Sequence, residues 1–183
     1  DFFAGSGSDS EGVAGSPIRL LQKVHEQLES IAKKKVRVTV HLNEYEADTK
    51  AQPKFELLRD ACDAYLAEHP KVRNTIELHL HNEDFATLFP KLKSKIEGCP
   101  SLVLLDQNGM KFLTPQLLTT FSEMKEVDFL CFIAASYIWR FCSAPEFQHY
   151  LPIDREKLKD AKYHQVHRAL VQQLRGFVPP NSD

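Results

Sequence analysis

An α/β fold, with a doubly wound and mainly parallel sheet carrying helices on both faces, is predicted by three observations. The hydrophobic period switches repeatedly between two and 3.6 along the chain. The segments so defined alternate strand, helix, strand, helix, as parallel sheets require for their crossovers. Several of the strands are short apolar runs of the kind buried on both faces.

The elements follow in order. Asp1–Ala4 reads as the stub of a strand, and Gly5–Gly15 as a loop rich in Gly and Ser. Ser16-Pro17 is a helix start, a capping hydroxyl followed by proline at the first helical position. Ile18, Leu21, Val24, Leu28 and Ile31 continue at helical spacing, and Lys33–Lys35 closes that helix with the charge its dipole favours. Val36–Leu42 is β-branched and reads as a strand; Pro53–Leu66 is a helix with Phe55, Leu58, Cys62 and Tyr65 on one face. Thr75–Leu80 is a strand, Phe85–Ile96 a helix and Ser101–Leu105 a buried strand. Thr114–Phe121 is a helix with Thr114 as cap and Pro115 at its first position. Asp128–Ala135 is a further strand, and Pro145–Tyr150 and Lys162–Leu174 read as helices.

Composition bounds the function. A chain of 183 residues with 43% hydrophobic and 26% charged residues suits one soluble globular domain over 1–183, with 177–183, around Pro179-Pro180, as a tail or linker. Because the chain opens inside what reads as a strand end, a further N-terminal portion is expected to precede it. The net charge of −2 does not support nucleic acid as a partner, although a local basic patch is compatible with it. No run approaches the roughly 20 apolar residues of a membrane span, and no signal peptide is legible, so no membrane partner and a cytoplasmic location are expected. Cys62, Cys99, Cys131 and Cys142 lack CxxC spacing and read as reduced thiols. His41, His79 and His81 are expected to be solvated or hydrogen-bonded strand histidines, with no metal.

In such sheets ligands bind beyond the carboxyl ends of the strands, so the residues at those ends matter most. The first strand runs into Asp1-Phe2-Phe3-Ala4-Gly5-Ser6-Gly7, where Gly5 and Gly7 allow positive φ and close approach to a ligand. The loop is longer than G-x-G-x-x-G and lacks the G-K-[ST] ending of a phosphate loop. The second strand ends at Asn43-Glu44, a carboxylate placed to accept from ribose hydroxyls. The third ends at Glu83-Asp84-Phe85, an acid for an adenine amino group and an aromatic to pack on the base; Asp84 also suits a helix cap. The fourth ends at Asp106-Gln107-Asn108-Gly109, and the fifth leads to Tyr137 and Arg140. A glycine turn, an acid, an acid with an aromatic, and an Asp turn fall in order on strands one to four. That is the pattern of Rossmann-like, class I S-adenosylmethionine-dependent methyltransferases.

Several segments resemble one family more closely, the bacterial three-Cys-motif partner proteins (TcmP), whose fold is methyltransferase-like. They are Asp1–Gly7 with Gly15-Ser16-Pro17, His41-Leu42-Asn43-Glu44, Leu104–Gly109, Asp128–Ile133 leading to Arg140-Phe141, and Glu146-Phe147 with Tyr150. The resemblance runs from Asp1 to about Tyr150. It implies S-adenosylmethionine as cofactor, with Asp1, Gly5 and Gly7 around its methionine part, Glu44 on the ribose, and Asp84 with Phe85 at the adenine. By the same resemblance Asp106 faces the transferred methyl; as the residue beside it, Asp106 is expected to orient or deprotonate the acceptor as the catalytic residue, with Asn108, Tyr137 and Arg140 expected to line the acceptor pocket. It also implies a three-Cys-motif protein as partner, and hence an alternative in which the domain is a non-catalytic partner or scaffold subunit. The chain departs from amino-methyltransferases: Asp106-Gln107-Asn108-Gly109 replaces the acid or amide, Pro-Pro and aromatic that grip a planar amine. No Pro-Cys nucleophile is present either, since Cys99 precedes Pro100.

Overall fold

The computed structural model describes residues 1–46, 53–107 and 112–133, together with 140, 144, 145, 154, 172 and 173. It is a mixed α/β structure with helices and two small parallel two-stranded sheets. The order is α1 (Ser16–Glu26), α2 (Leu28–Lys34), β1 (Val38–Asn43), α3 (Lys54–Glu68), α4 (Pro70–Thr75), β2 (Ile76–His81), α5 (Phe85–Glu97), β3 (Ser101–Leu105), α6 (Pro115–Glu123) and β4 (Val127–Cys131). Two compact units are present, Asp1–Lys91 with Leu104–Asp106, and Leu92–Val103 with Gln107–Asp183. Among the described residues no helix is long and apolar enough to cross a membrane.

In the first unit β1 and β2 pair in parallel, Val38 opposite Ile76 through Asn43 opposite His81. Alternation along both strands turns Val40, Leu42, Leu78 and Leu80 to one face, where they meet Leu21 of α1, Leu58, Cys62 and Leu66 of α3, and Val72 of α4. Leu21, Leu42, Leu58, Cys62 and Val72 are fully buried there. The opening segment hydrogen-bonds as a strand beside β1. The Asp1 nitrogen donates to His41 O (2.8 Å), Asn43 N–H to Asp1 O (2.9 Å) and Ala4 N–H to Asn43 O (2.8 Å). On its other side Phe2 N–H donates to Leu104 O (3.2 Å).

β3 pairs with β4 in the other small sheet, and in the second unit α6 packs Leu117, Leu118 and Phe121 inward. The Phe121 ring stacks on Phe129 of β4 at 5.2 Å. Thr114 caps α6 by accepting Leu117 N–H at 3.2 Å, with Pro115 at the helix start.

Four local details differ from the sequence expectation. The helix expected across Ile18–Ile31 is interrupted at Gln27, which leaves helical geometry and divides it into α1 and α2. Gly15, not Ser16, is the N-cap of α1, because the Ser16 hydroxyl is drawn to the Asp1 carboxylate instead. The short α4 was not legible, its six residues being too few for a periodic pattern. As expected for Phe85–Ile96 read as one helix, Pro90 lies inside α5 without ending it. The strand expected to Ala135 ends as β4 at Cys131, and 134–135 lie outside the described residues, as do nearly all of 145–150 and 162–174.

Candidate functional site

The opening turn is held by side chains that arrive from three separate elements. Ala4 ends the strand-like segment, and Gly5 takes φ +68°, a conformation that glycine adopts without penalty. Its N–H donates to Glu44 Oε2 at 2.7 Å, so the acid just beyond β1 fixes the start of the loop. Asp1 Oδ2 accepts the Ser16 hydroxyl at 2.7 Å, and Asp1 Oδ1 accepts Phe3 N–H at 3.1 Å. The loop therefore leaves the sheet beside Glu44 and re-enters α1 beside Asp1.

Between those ends the backbone is tightly organised. Asp9 Oδ1 accepts from Glu11 N–H (2.9 Å) and Val13 N–H (2.8 Å), and Ser8 bridges Ala14. Gly15 N–H closes the loop on Gly7 O at 2.8 Å. The two glycines of the turn face different surroundings. A Cβ at Gly5 would meet nothing within 4 Å, whereas one at Gly7 (φ +87°) would stand 2.8 Å from Ala61 Cβ of α3. Gly7 is thus a packing glycine that lets the loop lie on a helix, and Gly5 faces open space.

Asn43 joins the next strand end to this one. It is 2% exposed, and its Nδ2 donates to Phe2 O and Glu83 O, both at 3.0 Å. Its Oδ1 accepts Glu83 N–H at 3.1 Å, so the amide is matched on both sides. Glu44 N–H donates to His81 O at 3.1 Å, continuing the link to β2. Asp84 follows and caps α5, accepting Ala86 N–H on Oδ1 at 2.8 Å and Leu88 N–H on its carbonyl at 2.9 Å. The Phe85 ring is 6% exposed and packs edge-on against Phe2 (5.1 Å), stacked on Phe3 (5.6 Å) and on Phe89 (5.4 Å).

Gly5 and Glu44 are thus joined by a direct bond, Asp1 is tied to the same strand end through Asn43, and Asp84 with Phe85 is linked to them through Asn43 and the Phe2–Phe3 pair. Asp106 follows β3 and is exposed; among the described residues no hydrogen bond or ion pair ties its carboxylate to this group. Gln107 is buried and accepts Phe112 N–H at 2.9 Å, holding the turn after β3. Arg140 is exposed, and Asn108 and Tyr137 lie outside the described residues.

Protein-family models, curated proteins and solved structures contain no match to this chain.

Residue types and spacing point to the carboxylates and glycines but assign no part in the site to Asn43, Ser16 or Phe3. Asn43 carried a signal, a polar residue at the end of an otherwise apolar run, where a buried amide must find partners on all sides. Ser16 was read as a cap for its own helix, which sequence spacing cannot distinguish from a bond 15 residues away. The arrangement can bind a polar ligand chemically: an open glycine backbone, a carboxylate with one oxygen committed to that backbone, and a second acid at the adjoining strand end.

Proposed function

We propose that this chain is an S-adenosylmethionine-binding, methyltransferase-like domain whose cofactor lies over the turn at Gly5. The bond from Gly5 N–H to Glu44 Oε2 carries the reading, because it joins a ligand-accessible glycine turn to an acid at the next strand end. A carboxylate offers about four acceptor positions, so one bond to Gly5 leaves capacity for a ribose diol. The acids Asp1, Glu44 and Asp84 favour a cationic sulfonium ligand over a polyphosphate. Asp84 attends the adenine edge, and Phe85 backs that region through its stack on Phe3. On this reading the two small sheets are parts of one doubly wound, Rossmann-like sheet. Its support is the segment Asp1–Ala4, which bonds to β1 and, through Phe2, to Leu104.

S-adenosylmethionine supplies an electrophilic methyl carbon, and the protein supplies orientation and electrostatics. On this reading Asp106 orients or deprotonates the acceptor. One observation favours a second reading, a non-catalytic partner subunit acting with a three-Cys-motif protein. The Asp106 carboxylate is exposed and not held by described neighbours, whereas catalytic groups are ordinarily fixed by supporting bonds.

Calorimetric titration with S-adenosylmethionine and S-adenosylhomocysteine tests the binding. The expected result is one site per chain, and the absence of heat with both ligands at millimolar concentration refutes it. Label transfer from methyl-tritiated cofactor into nucleic acid, protein or partner fractions then separates the two readings. Binding without transfer supports the partner subunit.

A further inference from the structure

The amino-terminal ends of β1 and β2 carry a concentration of positive charge that the net charge of −2 conceals. Lys33 and Lys34 stand in the last turn of α2, Lys35 closes that helix, and Arg37 leads into β1. α2 lies against α4, which adds Lys71 and Arg73 just before β2. The parallel register sets Val38 opposite Ile76 and so brings both segments to the same end of the sheet. All six basic residues are exposed.

Few acids offset them. Arg37 pairs with Glu77 at 3.0 Å, yet its side chain remains 80% exposed. Among the described residues, Lys33, Lys34, Lys35, Lys71 and Arg73 form no ion pair, and neither do the nearby Glu29 and Glu68. Two of the cations also stand where local preference opposes them. Lys35 takes left-handed geometry (φ 53°), at a helix-closing position that glycine or asparagine usually fills. Lys71 lies in the first turn of α4, where the helix dipole disfavours a cation and no acid compensates it. The dipole accounts for Lys33, Lys34 and Arg73 in last turns, but not for these two. Local preferences overridden at exposed positions point to charge that serves a partner.

We propose that this end of the first unit is a docking surface for nucleic acid, on which Lys33, Lys34, Lys35, Arg37, Lys71 and Arg73 contact backbone phosphates. No aromatic residue occurs in Lys33–Arg37 or Pro70–Thr75, so the surface offers cations to phosphates and no stacking platform to bases. That favours a duplex over a single strand, and binding without sequence preference. Val36 is the one exposed apolar residue in these two segments, too little to enter a lipid surface. The acids Asp1, Glu44 and Asp84 lie beyond the other end of the strands, about 20 Å away along the six residues of β1. A polyanion is therefore drawn to the amino-terminal end and repelled from the carboxyl end.

The test is fluorescence anisotropy of a labelled duplex DNA of about 20 base pairs, titrated with the whole chain from about 50 to 200 mM NaCl without added cofactor. Binding is expected at the lowest salt, falling about 10²–10³-fold across that range, as about four to six phosphate contacts require. The triple variant Lys33→Gln, Lys34→Gln, Lys35→Gln should weaken binding at least about tenfold and flatten the salt slope by about 3, and Arg73→Gln should flatten it by about 1. The control removes the same charge elsewhere, through Lys91→Gln, Lys93→Gln and Lys95→Gln on α5, where Lys91 and Lys93 already pair with Glu83 and Glu97. It should leave the affinity within about twofold. Circular dichroism establishes that each variant has folded; should the triple variant not fold, the three single variants replace it, each flattening the slope by about 1. The proposal is overturned if the chain does not bind the duplex at the lowest salt, if the folded Lys33–Lys35 variants bind as the unaltered chain does, or if the α5 variant loses as much. Displacement of the duplex by polyglutamate or by phosphatidylserine vesicles at equal charge would assign the surface to an acidic protein or a membrane, and equally overturns it.

Discussion

Replacing Gly7 with alanine should destabilise the protein by two separable effects. The first is backbone strain: φ is +87°, and a side chain in that region costs about 1–2 kcal/mol. The second is contact, because the new Cβ falls 2.8 Å from Ala61 Cβ, closer than carbon atoms pack. Ala61 has no flexible end to move, so α3 or the loop must shift, at about 1–3 kcal/mol for an overpacked site. Together these predict a loss of about 2–5 kcal/mol for Gly7→Ala in urea denaturation. Gly5→Ala is the internal control. It carries the strain at φ +68° but no contact within 4 Å, so it should lose only about 1–2 kcal/mol. Ala61→Gly removes the opposing methyl and alone costs about 1 kcal/mol of helix propensity. In that background Gly7→Ala should cost no more than Gly5→Ala, leaving a coupling of about 1–3 kcal/mol. Equal losses for Gly7→Ala with and without the Ala61 methyl would refute the packing argument.

The same geometry sets four more outcomes. Glu44→Ala should weaken S-adenosylmethionine binding by about 1–3 kcal/mol in calorimetry, through lost charge-assisted bonds to ribose and a loosened Gly5; unchanged affinity would make Glu44 a loop residue only. Asn43→Ala should lower stability by about 1–3 kcal/mol in thermal or urea unfolding, since it leaves the buried Phe2 carbonyl and the partly buried backbone groups of Glu83 without their partner. Burial, reinforced by the nearby Asp63 charge, pushes the Cys62 thiol up to about 11 from an ordinary 9.0. Its thiolate is therefore disfavoured in the folded state, and the associated stability is present below pH 9 and lost as pH rises through about 11. At pH 8, iodoacetamide should label the exposed Cys99 and spare Cys62 until denaturant is added, as read by peptide mass spectrometry.

Most of the secondary structure in the described residues was legible because each element had a strong local cause. Ser101–Leu105 is apolar and short, and Thr114-Pro115 carries its own start signal, so β3 and α6 lie where their residues place them. The break at Gln27 was not legible, for no proline or glycine marks it. At the candidate site, chemistry was readable but allegiance was not. Residue type and order alone settle which strand ends carry acids and where the backbone has glycine's freedom. That Glu44 grips Gly5 across 39 positions, that Gly7 lies on Ala61, and that Phe85 packs among Phe2, Phe3 and Phe89 comes from the folded chain. The physical reason is distance along the chain: periodicity reports on neighbours three or four residues away, while a hydrogen bond or a stacked ring depends on which separate elements the buried core has brought side by side.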